Sequence, residues 1–96
     1  MEKATVYFTK EINSNGLMKA YHALGKKLNG KVAIKISTGE PGGHNFLQPK
    51  LIQPLVSELN GTIVECNTAY EGRRNTTKEH WQAIKEHGFM EIAPCD

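Results

Sequence analysis

Two stretches of this chain are nearly the same sentence written twice. "LNGKVAIK" spans residues 28–35 and "LNGTIVEC" spans 59–66. Each closes a helical pattern on Asn-Gly and then starts a short apolar run. Such a turn ends a helix, and the run reads as a strand. "HGFMEIA" repeats the plan at 87–93. Strand-like runs at 4–9, 31–37, 62–67 and 89–93 are spaced by roughly 30 residues, the size of a βα unit. Helices alternating with short strands require parallel pairing with crossovers. The expected fold is therefore α/β, a Rossmann-like open, mostly parallel sheet of about four strands with three crossover helices.

Helix boundaries are marked locally. Leu17, Tyr21, Leu24 and Leu28 recur at helical spacing behind Asn13 or Ser14 as N-cap. Leu51, Ile52, Leu55, Val56 and Leu59 form a second stripe. Pro49 suits a first turn, whereas Pro54 predicts a kink or a later start. "TTKE" reads as a capping box with Thr76 as cap and Glu79 three residues on. Trp81 and Ile84 mark the buried face of that third helix. His22, His80 and His87 are expected on helix surfaces.

The 96 residues fit a single α/β domain, 1–96. Twelve basic and ten acidic residues give a net charge of +2. That balance argues against nucleic acid or a membrane surface as partner. "MEKATVYF" has no basic n-region or h-region, so a cytoplasmic protein is expected, with Cys66 and Cys95 as reduced thiols. The chain ends soon after its fourth predicted strand, and three helices cover a parallel sheet only thinly. A homodimer, or contact with the missing remainder of a longer parent chain, is the expected consequence.

Function concentrates on one rim. Loops 38–49 and 67–77 both leave the carboxyl ends of predicted strands, where open α/β sheets bind ligands. Both exceed the about 2–6 residues usual for such connections. The first supplies Gly39, Gly42 and Gly43, which let backbone amides approach a ligand, with Glu40, His44 and Asn45 beside them. The second supplies Asn67, Arg73, Arg74 and Asn75 ahead of a helix N-terminus, a natural place for phosphate or carboxylate. The two loops are expected to lie side by side and bind an anionic small molecule together. The bland alternative is that Glu40 neutralises the arginines and the loops merely close on each other. A metal would need His44 and Cys66 to converge with His80 or a carboxylate. No close-spaced pair supports this, so no metal site is expected.

"KATVYFT", "KVAIKISTGEPGGHNFL" and "GTIVECNTAYEGRRNTTKEHW" resemble the N-terminal segment of a bacterial and archaeal family. It is called domain of unknown function 362, or uncharacterised iron–sulfur-centre protein. The resemblance covers nearly the whole chain. It implies an N-terminal part of a parent several hundred residues long, with a ferredoxin-like module binding four-iron, four-sulfur clusters elsewhere. This chain has no "CxxCxxC" run, so neither Cys66 nor Cys95 inherits a cluster-ligand role, and no cofactor is expected in it. Two further readings stay open: a structural or interaction domain with no ligand site, and a substrate-docking half of a redox enzyme.

Overall fold

A computed structural model describes all 96 residues. Its elements run in the order α1 (Ser14–Ala23), β1 (Ala33–Lys35), α2 (Pro49–Leu59), β2 (Thr62–Val64), α3 (Thr77–Glu86) and a 3-10 turn (Phe89–Glu91). β1 and β2 pair in parallel, with Ala33 opposite Thr62, Ile34 opposite Ile63 and Lys35 opposite Val64. The four-stranded Rossmann-like sheet is therefore not formed. The sheet has two strands, and α2 is the one helix that crosses between them.

The two missing strands fail for different reasons. Segment 4–9 has strand composition but is unpaired, and Val6 and Phe8 are exposed. β-propensity yields a strand only where a neighbour accepts the backbone bonds. At the other end, Gly88 takes a left-handed conformation and turns the chain into the 3-10 helix. Phe89 is thereby driven into the core with no exposed surface. The chain reaches the sheet only afterwards. The Ile63 amide donates to the Pro94 carbonyl at 2.9 Å, and the Asp96 amide donates to the Ile63 carbonyl at 2.8 Å. A single parallel bridge, Ile63 to Cys95, thus stands where 89–93 was expected to pair.

The helix signals are largely obeyed. Asn13 caps α1 by accepting from the Gly16 amide at 2.8 Å. The helix stops at Ala23, so Leu28 lies beyond it, and Gly25 (φ 63°) follows the cap rather than Gly30. α2 runs unbroken through Pro54. Proline has no N–H for the carbonyl four residues back, here Lys50. The Ser14 hydroxyl of α1 supplies the missing donor at 3.0 Å, and also reaches the Leu51 carbonyl. One hydroxyl therefore both repairs α2 and joins the two helices. At the end of α2 the left-handed residue is Asn60 (φ 49°), not Gly61. Gly61 serves instead for close approach: a Cβ there would meet Ile34 Cδ1 at 2.5 Å.

The core is small. Ile52 and Val56 of α2, Ile63 of β2, Ile84 of α3 and Phe89 form one buried cluster. Each such side chain contributes about 1.5–3 kcal/mol on burial. Ile34, Phe46 and Trp81 pack against the cluster from the side. No helix is long and apolar enough to cross a membrane.

Candidate functional site

The carboxyl ends of β1 and β2 open onto loops 38–49 and 67–77, and a connected polar network joins them. Its centre is Glu65, the first residue after β2, whose side chain is only 5% exposed. Its carboxylate accepts from the Thr38 amide at 3.2 Å and from the Thr38 hydroxyl at 2.5 Å. Arg74 Nη1 lies 3.4 Å from Oε1, and His80 Nε2 lies 3.0 Å from Oε2. Three segments of the chain thus converge on one buried carboxylate. A buried charge persists only where it is paired and hydrogen-bonded in this way.

His80 is held at both ring nitrogens. Nδ1 faces the Asn67 side-chain oxygen at 3.0 Å, and Asn67 donates in turn to the Thr77 hydroxyl at 3.2 Å. Both ring nitrogens are thus engaged, and the imidazole is fixed in orientation. A second histidine closes the other side: His87 Nδ1 donates to the Thr38 carbonyl at 2.6 Å. Its ring stacks on Phe46 at 3.8 Å between centroids.

Arg74 bridges this buried centre to the surface. Its side chain is 9% exposed. Nη1 serves Glu65, while Nη2 points outward to Glu40 Oε1 at 2.5 Å and to the Tyr70 hydroxyl at 2.7 Å. Tyr70 also donates to Glu40 Oε1. Two donors therefore converge on one oxygen of a carboxylate that is itself 52% exposed. Hydrogen bonds from Arg74, then from Tyr70, hold the Glu40 carboxyl below its ordinary range. Burial works against the Arg74 charge, but the bonds to Glu40 and Tyr70 outweigh it and hold the guanidinium above its ordinary range. Arg74 Nε is buried with no hydrogen-bond partner.

The loop residues expected at the site divide. Glu40, Asn67 and Arg74 enter the network. Arg73 turns away to Glu86 of α3 at 3.4 Å, in an exposed pair, so Glu40 pairs with Arg74 and not with Arg73. Asn75 is exposed and outside the network. Gly39, Gly43, His44 and Asn45 line a second feature, a cleft of about 420 Å³ beside Glu40, together with Phe46 and Leu47. Gly42 is exposed at the preceding turn with φ 80°. Gly39 has φ 91°, and a Cβ there would clash with Phe46. Only glycine lets the loop fold so closely over that ring.

Glu65, Thr38, Tyr70 and His80 belong to the network but were not anticipated. His80 is 4% exposed rather than on the surface. The signal existed, because His80, Ala83, Ile84 and His87 share one helical face behind the Thr76 cap. Glu65 follows directly on the apolar run of β2, at the strand end where such sites form. A cavity of about 240 Å³ is lined by Glu65 and His80 together with Cys66, Asn67, Thr77 and Trp81. No three His, Cys, Asp or Glu side chains are grouped to hold a metal. Comparison with protein-family models, curated proteins and solved structures finds no match to this chain. What fold and geometry define is a small two-stranded α/β unit whose strand-end loops are cross-linked through one buried carboxylate.

Proposed function

We propose that this chain is the ligand-binding N-terminal α/β portion of a larger iron–sulfur-centre protein, and that its loop rim takes an anionic small molecule. The observation that carries the binding reading is the convergence of Arg74 Nη2 and the Tyr70 hydroxyl on Glu40 Oε1. Arg74 is locked from behind by Glu65, so its outer face is pre-organised for an oxyanion. Glu40 is the half-exposed member and occupies the place of that oxyanion. A ligand binds by displacing Glu40 while Arg74 stays put. The setting within a larger protein rests on the quoted motifs alone; clustered cysteines downstream in the parent reading frame are its test.

The binding reading is tested by calorimetric titration with small anions, acetate and phosphate among them. Wild-type protein should give saturable binding. Tyr70→Phe should weaken it by about 10- to 150-fold, since a hydrogen bond to a charged group contributes about 1.5–3 kcal/mol. Equal binding by wild type and Tyr70→Phe would exclude Tyr70 as a donor. No saturation with any anion would exclude the site.

An interaction role is favoured by a separate observation. Val6, Phe8 and Ile12 are 83%, 82% and 91% exposed. An apolar row of this kind is a surface for another part of the parent protein or a second copy of this chain. Sedimentation of this chain with and without residues 1–12 tests the second case.

A further inference from the structure

We infer that the ligand of this rim is a small organic carboxylic acid with an apolar or aromatic body, not a phosphate ester. The inference rests on the reading that Arg74 and Tyr70 take an anion.

Three observations point to a carboxylate. The first is donor number. Arg74 Nη2 and the Tyr70 hydroxyl meet at a single oxygen, which suits one carboxylate oxygen. Phosphate is best held by several donors, often helix N-terminal amides. Each helix N-terminus beside the rim is short of one such donor here. α2 begins with Pro49, which has no N–H, and Thr76 occupies the Glu79 amide at the start of α3.

The second is charge. Arg74 already shares its guanidinium with buried Glu65 through Nη1. Exchanging the Glu40 carboxylate for another carboxylate leaves the charge at Arg74 unchanged. A phosphate dianion adds a negative charge beside Glu65, where low dielectric makes like charges costly.

The third is the room for a body. The cleft beside Glu40 measures about 420 Å³, within the range typical of small-molecule sites, about 300–1,000 Å³. Phe46 and Leu47 give it an apolar wall. Phe46 stacks on His87, which supports the ring in that wall. A carboxylate on Arg74 and Tyr70 would project its substituent along that wall.

The test is NMR titration of wild type and Glu40→Gln with benzoate, acetate and inorganic phosphate. Benzoate should bind more tightly than acetate, and Glu40→Gln should tighten benzoate about tenfold by removing the competing carboxylate. Leu47→Ser should weaken benzoate while leaving acetate unchanged. Phosphate binding more tightly than both carboxylates at the same residues would overturn the inference and leave the anion site standing. No saturable shift in either protein with any of the three would overturn the inference and the underlying reading together.

Discussion

Replacing Glu65 by alanine removes the acceptor on which the whole rim is hung. Thr38 loses the partner of both its amide and its hydroxyl, and Arg74 and His80 each lose a carboxylate. Arg74 and His80 are 8% and 4% exposed, so water cannot readily replace what is lost. Breaking a buried ion pair by deleting one partner costs about 3–5 kcal/mol where the other charge is left unpaired; Arg74 keeps Glu40, so a loss at the lower end, about 3 kcal/mol, is expected. A small domain has only about 5–15 kcal/mol in total, and the buried apolar cluster here is five residues. With a urea m-value of about 1.5 kcal/mol/M, the midpoint should fall by about 2 M. Urea denaturation followed by Trp81 fluorescence measures this directly. Glu65→Gln, which keeps the shape and one oxygen acceptor, should lose less. A loss below about 1 kcal/mol for Glu65→Ala would refute the claim that this network holds the loops together.

Three further outcomes follow from the same geometry. The Glu40 carboxyl is held below its usual value of 4.5 by Arg74 and Tyr70. Its contribution to stability is therefore complete above that value and lost as pH falls through the lower folded value; carboxyl NMR should show Arg74→Lys raising the Glu40 midpoint, and no change would refute the pairing. Burial pushes the Cys95 thiol up, whereas Cys66 is exposed, so a thiol reagent at pH 8 should modify Cys66 first. Equal rates would contradict the placement of Cys95 against β2. Removing residues 1–8 should change stability by less than about 0.5 kcal/mol, since that segment forms no element and is almost wholly exposed; a larger loss in denaturation would mean that it is docked.

Local punctuation was the legible part of this fold. Asn13, Pro49, Thr76 and Gly88 all act where the sequence placed them, because capping depends on neighbours within a few residues. The parallel pairing of 33–35 with 62–64 was legible for the same reason, through the repeated turn before each strand. Sheet size was not. Whether "ATVYFT" becomes a strand depends on a distant edge, and whether "FMEIA" does depends on the core's demand for Phe89. In the site, the meeting of the two loops was legible from strand polarity. The division between Arg73 and Arg74 was not, since adjacent residues diverge according to whether the chain can bury one of them. Glu65 and His80 were missed because a charged residue after a strand and a histidine on a helix read as solvated until their partners are in place.

The proposed oxyanion site consists of Arg74 and Tyr70, with Glu40 in the place of the ligand. The most direct measurement is the Arg74 side-chain NMR signal in Glu40→Gln during titration with acetate. A saturable shift shared by Arg74, Tyr70 and residues 39–45 is expected, with Glu65 and His80 signals little changed. A signal that stays fixed at saturating acetate, while the protein remains folded, would contradict it.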